Sequence, residues 1–308
     1  MTFPSRLSAI LQAILVTFLW STSWVLIKFG LRNDLPALSF AGLRYGLAFL
    51  CLVPVVLGNP RERAILQSLS RADLWKLGLL GLVLIALAQG AQFISLSYLP
   101  AVMVNLLLNL SPIVVGLMSV VWWQERPTGL QWLGVLLGLG GTLVYFLPLN
   151  IPGGLWLGAL AALVGVFSNS AATLMGRQAN LQSHLSPLTV TFVSMGFGSG
   201  LMLLAGSLTQ GFGSPSLTDW GIIAWLAVVN TAFAFTLWNN TLRALTPVES
   251  SIINSLMMPQ IALLAWMFLG ESISLKELCG LALVAAGVLI VQVRIKKNKL
   301  PNRGDAAH

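Results

Sequence analysis

The sequence predicts an all-α integral membrane protein of ten transmembrane helices, arranged as two inverted five-helix repeats around a central cavity. Three observations lead there. Of 308 residues, 56% are apolar and only 8% are charged, against roughly 25% charged in a soluble domain. So few charges cannot dress a water-exposed surface, and lipid must be the solvent for most of the chain. Ten apolar runs follow one another, near 7–29, 36–57, 74–97, 100–122, 129–147, 153–176, 186–207, 218–241, 246–268 and 275–294. Each is about the 17–25 residues that a bilayer core requires. Finally, the chain repeats itself. Pro100, Pro112, Glu125, Gly134 and Gly141 recur as Pro247, Pro259, Glu271, Gly280 and Gly287, offset by 147 residues at the prolines and 146 thereafter. Five spans per half is an odd number, so the second copy enters the membrane from the opposite face.

The elements follow in order. Span one carries the run Trp20-Ser21-Thr22-Ser23-Trp24 and lacks a small-residue cleavage site, which favours a retained span over a signal peptide. Span two holds Arg44 about nine residues from its start. The segment 58–76, with Pro60, Arg61, Glu62 and Arg63, reads as a short surface helix. Span three offers Gln89 and Gln92, and span four Asn105, Asn109 and Pro112 on one helix face. An uncharged turn, Pro148 to Gly154, joins the halves. Span six offers Ser168, Asn169 and Thr173; span eight, after a Gly- and Ser-rich loop at 206–216, offers Asn230 and Thr231. Span nine opens on Thr246-Pro247-Val248-Glu249 and continues through Ser251, Asn254, Ser255 and Pro259. The predicted domains are therefore a first repeat over 1–148, a second over 153–294, and a basic tail over 295–308.

Net charge is +8, but its distribution speaks for orientation rather than nucleic acid. With the N-terminus inside, thirteen Lys and Arg fall on the cytoplasmic side, three (Lys28, Arg32, Lys276) outside, and Arg44 within the membrane. That bias places both termini in the cytoplasm. Cys51 and Cys279 are expected at opposite depths, too far apart to pair.

Enzyme signatures are absent from the spans. The two histidines, His184 and His308, lie in a loop and in the tail, so no intramembrane metal site or Ser-His relay is expected. No phosphate-cradling glycine loop appears, and no cofactor is expected. The deep polar residues are instead neutral. A lipid-facing amide would leave its hydrogen bonds unmade, so these faces turn toward one another or toward water. Each one alone reads equally well as interhelical glue; together they favour a polar-lined cavity. Pro112 and Pro259, at equivalent positions, should bend their helices, as static kinks or as hinges. Of eleven tryptophans, Trp75, Trp122, Trp123, Trp132, Trp156, Trp220, Trp238 and Trp266 fall near span ends, where the interfacial belt explains them. Trp20, Trp24 and Trp225 lie deeper, and Trp20 and Trp24, one turn apart, are candidate pocket walls. Glu249 reads as the fourth member of a capping box, with a proton-coupling carboxylate as the alternative. Arg44 should be costly in lipid unless paired or facing water. It is a candidate for holding a substrate carboxylate, for gating the outer mouth, or for pairing with a helix C-terminus.

With the Trp20 to Lys28 segment, Arg44 and the paired Pro-x11-Pro…Glu…Gly…Gly modules in view, the chain resembles the drug/metabolite transporter superfamily, in its ten-span EamA-like branch. Bacterial exporters of aromatic and other neutral amino acids look nearest within it. The resemblance implies two inverted halves, with spans five and ten peripheral, around a central substrate cavity. Small multidrug relatives use an embedded glutamate for cationic drugs, and span one here has no acidic residue. The expectation is a facilitated exporter of small neutral or zwitterionic metabolites in a bacterial inner membrane, monomeric because one chain completes the repeat. The expected substrate-binding residues are Trp20, Ser23, Trp24, Gln89, Gln92, Asn105, Asn109, Asn169 and Asn230. Proton-coupled drug or metabolite export and amphipathic-lipid flipping are the alternatives.

Overall fold

The computed structural model describes residues 4–32, 35–99, 101–122, 127–147, 156–269 and 274–292. Pro100, Glu125, Glu271, the join near 148–155 and the tail lie outside the described residues.

The described chain is helical throughout. It begins with α1 (Arg6–Arg32), α2 (Ala37–Gly58) and the short α3 (Pro60–Gln67), the surface helix expected from the polar segment. Next come α4 (Arg71–Gly81), a π-helical stretch over Leu82–Gln89 and α5 (Gly90–Tyr98), one continuous rod. The first half closes with α6 (Ala101–Leu108), α7 (Ser111–Trp122) and α8 (Gly129–Phe146). The second half holds α9 (Trp156–Leu181) and α10 (Pro187–Thr209), then a rod of α11 (Leu217–Ala227), a π stretch over Val228–Phe233 and α12 (Ala234–Thr241). It ends with α13 (Pro247–Asn254), α14 (Met257–Leu269) and α15 (Leu275–Gln292). Six segments are long and apolar enough to cross a membrane: Arg6–Ile27, Ala37–Gly58, Arg71–Tyr98, Trp156–Leu181, Pro187–Thr209 and Leu217–Thr241. The protein is a multi-pass membrane protein, with shorter apolar helices between these spans.

The repeat runs deeper than the Pro…Glu…Gly…Gly modules. Ser70 and Asp73 cap α4 by exchanging side-chain and backbone hydrogen bonds, and Ser216 and Asp219 cap α11 in the same way. Thr128 with Gln131 and Ser274 with Glu277 cap α8 and α15. Each second box lies 146 residues after the first, as does the start of each π stretch. Capping boxes satisfy donors that a helix start would otherwise leave orphaned. Replacing Ser216 by Ala should cost about 1 kcal/mol of stability; a small drop in detergent melting temperature with transport intact is the expected result.

The expected bends at Pro112 and Pro259 are larger than bends: both helices are interrupted. The α-helical ladder gives way at Asn109–Leu110 and at Ser255–Leu256, where the Leu110, Ser255 and Leu256 amides bond three residues back instead of four, and it resumes in α7 and α14. Each proline then sits in the first turn of the new helix, where its missing N–H costs nothing. Pro112 is buried and Pro259 half-buried.

Glycines set the closest helix contacts. A Cβ on Gly134 would meet the Gly287 carbonyl at 2.7 Å, and one on Gly141 the Gly280 carbonyl at 2.6 Å. Thus α8 and α15 run antiparallel with backbones touching. Gly134 corresponds to Gly280 and Gly141 to Gly287 in the repeat, so each contact is the counterpart of the other, the pattern of a two-fold-related pair. Helices α2 and α10 also cross antiparallel, with Gly42 and Gly46 against Leu203, and Gly206 against Ser39. Such small-residue seams replace hydrophobic drive, which lipid removes. Around the α2–α10 crossing lies a core that includes Phe40, Tyr45, Phe93, Met195 and Met202.

Candidate functional site: a polar cavity between the halves

A cavity of about 120 Å³ lies between the two halves, far above the roughly 10–15 Å³ that one water needs. Helix α1 gives it Trp20, Ser23 and Trp24, and α2 gives Arg44 and Tyr45. The first π stretch and α5 give Gln89 and Gln92; α6 and the break after it give Asn105 and Asn109. From the second half come Asn169 and Thr173 of α9, Phe235, Trp238 and Asn239 of α12, and Ser251 and Asn254 of α13. Among the described lining residues, Arg44 alone carries charge.

The aromatic side of the wall centres on Trp20. Its ring centroid lies 5.1 Å from those of both Phe235 and Trp238, in tilted geometry between stacked and edge-on, at a separation typical of packed aromatic pairs. The indole N–H donates to the Asn230 carbonyl at 3.1 Å. Asn230 belongs to the second π stretch, where the wider turn re-aims backbone groups. The same stretch presents Thr231, whose hydroxyl donates to the Leu226 carbonyl at 2.8 Å and accepts from Arg44 Nε at 2.8 Å. Arg44 Nη2 reaches the Asn230 carbonyl at 3.5 Å, and the guanidinium lies 5.2 Å from the Tyr45 ring centre. The π stretch thus ties α1, α2 and α12 together at the cavity wall.

The amides are partly engaged. Tyr45 donates its hydroxyl to Gln89 Oε1 at 2.8 Å. Asn109 donates to the Asn105 carbonyl and Oδ1 at 3.0 and 3.1 Å, closing the break after α6. Asn239 donates to Thr191 Oγ1 at 3.0 Å and accepts from Asn180 at 2.6 Å. Asn254 Oδ1 is buried without a hydrogen-bond partner in the structure.

Eight of the nine residues expected to face a substrate line this cavity: Trp20, Ser23, Trp24, Gln89, Gln92, Asn105, Asn109 and Asn169. Asn230 stands behind the wall. Its side chain donates to the Leu19 carbonyl and, at 3.0 Å, to Thr22 Oγ1, holding α1 to the π stretch. Glu249 is off the wall as well. Its carboxylate accepts from the Thr246 N–H at 2.9 Å and pairs with Arg6 at 2.9 Å, joining the start of α1 to the start of α13. The capping box read from the sequence is present, with an ion pair added. Pro112 and Pro259 are not lining residues; they restart the helices just after the breaks.

The profile of the EamA-like transporter family matches this chain twice, over residues 7–147 and 156–293. The chain belongs to the EamA-like transporter family. It is therefore a membrane transporter and not an enzyme. It is similar to the uncharacterized transporter YvbV of Bacillus subtilis (strain 168), 28% identical over 96% of this chain and 95% of the relative. It is also similar to a probable terminal-alkyne amino-acid exporter of Streptantibioticus cattleyicolor, 26% identical over 94% of this chain and 95% of that one. An uncharacterized inner membrane transporter of Escherichia coli (strain K12), YedA, is 22% identical over 89% of this chain and 87% of its own. A crystal structure shares the fold with a TM-score of 0.76 at 18% identity, covering 92% of this chain and 97% of that one.

Several wall residues of this EamA-like transporter escape a sequence reading. Trp238 falls near a span end and looks interfacial, yet it packs against Trp20 in the cavity wall. Trp225, by contrast, looks deep but is 56% exposed on the outer surface of the bundle. The π stretch accounts for part of this, since one wide turn shifts the helix face that follows it. Phe235 carries no polar signal in an apolar span, and the Tyr45 hydroxyl shows its role only through the bond to Gln89. Asn239 does carry one, and a scan for amides continued to the end of span eight would have found it; Ser251 and Asn254, read from span nine, also line the wall.

Proposed function

We propose that this EamA-like transporter is a ten-span carrier that exports small neutral or zwitterionic metabolites, aromatic and other amino acids above all. It works by alternating access, as a facilitator. The observation that carries this reading is the cavity itself: aromatic walls and neutral amides from both halves, with no carboxylate among the described lining residues. Tryptophan faces suit an aromatic or apolar side chain, and amide oxygens such as Asn254 Oδ1 suit an ammonium group. The name of the Streptantibioticus relative, a probable amino-acid exporter, points the same way.

The proposed architecture is two inverted halves, over 1–148 and 153–294, with a basic tail over 295–308. The mutually equivalent glycine contacts of α8 and α15 support a two-fold relation. The interrupted helices, with Asn109 and Asn254 at or beside the breaks and on the wall, fit the discontinuous helices of such carriers. Pro112 and Pro259 would then be the hinges and Arg44 part of the binding face. The distribution of Lys and Arg supports a bacterial inner-membrane protein with both termini on the cytoplasmic side. One chain completes the repeat, so the working unit is a monomer.

Glu249 supports facilitation over proton coupling, because its carboxylate is engaged by Arg6 and Thr246 away from the wall. The test is uptake of labelled tryptophan, phenylalanine and threonine into proteoliposomes, with and without a pH gradient. Saturable uptake that ignores the gradient and persists in Glu249→Gln is the expected result. Gradient-driven uptake abolished by Glu249→Gln would replace facilitation with proton coupling. Absence of amino acid uptake would remove this substrate class, and lipid flipping would be measured next.

A further inference from the structure

We propose that Arg44 anchors a carboxylate on the transported molecule, so that the cavity selects substrates by that group; the choice of probes rests on the amino-acid reading above. The argument starts from charge. Arg44 is only 3% exposed and lines the cavity. Burying a cation away from an anion is costly, and buried charges are paired or coordinated as a rule. The partners of Arg44 are all neutral: the Thr231 hydroxyl at 2.8 Å, the Asn230 carbonyl at 3.5 Å, and the face of Tyr45. Among the described residues no carboxylate lies within ion-pair distance of it. These partners fix the guanidinium's orientation without cancelling its charge.

Most of its N–H donors therefore remain for whatever fills the cavity. A guanidinium presents them as a planar fork, which matches a carboxylate with two parallel hydrogen bonds. The neighbours are built to hold that fork still. Arg44 Nε is fixed by Thr231, which the π stretch in turn fixes through Leu226. The number of charges narrows the ligand class. Counted from the helix start, Arg44 in α2 corresponds to Ser194 in α10 of the second half, whose hydroxyl turns back to the Val190 carbonyl at 2.7 Å. One cation suits a monoanionic carboxylate, free or within a zwitterion; a phosphate dianion would want several.

The experiment uses the purified full chain in proteoliposomes preloaded with phenylalanine, measuring counterflow of labelled phenylalanine against four unlabelled competitors. These are phenylalanine, phenylalanine amide, 3-phenylpropionate and phenethylamine. Phenylalanine and 3-phenylpropionate should compete, with the amide and the amine weaker by roughly tenfold or more, as expected when a desolvated charge loses its partner. Arg44→Gln should erase that preference, whereas Arg44→Lys, which keeps charge but not the fork, should retain part of it. The competitor series on the unmodified protein decides the matter even if neither variant folds. Equal competition by phenylalanine and its amide would overturn the role of Arg44 and leave amino acid transport standing. Where phenylalanine itself shows no counterflow, direct flux of labelled 3-phenylpropionate and phenethylamine is compared. Flux of the carboxylate alone would sustain Arg44 and sink the amino-acid reading; flux of the amine alone, or of neither, would sink both.

Discussion

Gly141→Leu should destabilise the protein by about 3 kcal/mol or more, the upper range for overpacking a close-packed site. The clash is with backbone: a Cβ there would stand 2.6 Å from the Gly280 carbonyl and 2.8 Å from both the Val284 amide nitrogen and the Leu283 Cβ. A flexible side chain can swing aside, but a carbonyl in the middle of a helix cannot. Relief requires α8 and α15 to separate, which opens the contact at Gly134 and Gly287 further along the same seam. Gly140→Leu is the matched control, since a Cβ at Gly140 meets nothing within 4 Å. It should lie within about 0.5 kcal/mol of the parent, helped by the better helix propensity of leucine. Thermal unfolding in detergent, followed by size-exclusion recovery, reads both. Equal melting of the two variants would mean that the α8–α15 seam is not held by backbone contact.

Trp20→Ala should nearly abolish transport. The indole touches Phe235 and Trp238, each at 5.1 Å between centroids, and its N–H reaches the Asn230 carbonyl. Truncation empties one wall of the cavity, removes the ring that Phe235 and Trp238 pack against, and takes one donor from the Asn230 carbonyl. Trp20 is half-buried, so its loss should cost less than the roughly 3–5 kcal/mol of a fully buried Trp, and part of that will appear as lower stability. Trp20→Phe separates the two roles. It keeps a ring between Phe235 and Trp238 and gives up one hydrogen bond, worth about 1 kcal/mol. A folded Trp20→Phe with flux reduced only a few-fold is the expected outcome. Trp225→Ala, on the exposed surface of the bundle, should leave flux unchanged. Transport by Trp20→Ala at the parental rate would remove the aromatic wall from the mechanism.

Much of this protein follows from sequence because the bilayer imposes simple rules. Lipid demands long apolar helices, so composition and run length give the membrane class and the helix positions. A repeat leaves its residues at a fixed offset, so Gly134, Gly141, Gly280 and Gly287 stand out in the sequence as equivalent positions, though only their contacts show that they form a seam. Polar residues are expensive in lipid, so those that persist gather where water or substrate is. That is why Gln89, Gln92, Asn105, Asn109 and Asn169, chosen only as deep amides, line one cavity.

Other features depended on the tertiary structure. A proline within an apolar run predicts a bend, but whether the helix kinks or breaks depends on what satisfies the freed backbone. Here Asn109 closes the first break through Asn105. The side of a helix reached by Trp238 or Asn230 depends on an inserted π turn, which leaves no mark in an apolar sequence. Glu249 shows the same division. Thr246-Pro247-Val248-Glu249 announces a cap by local spacing, whereas its ion pair with Arg6 joins residues 243 positions apart. Local spacing and solvent preference are written along the chain. Which distant groups meet is set by how the helices pack, and that settled the walls of the cavity and left Arg44 among them without a carboxylate among the described residues.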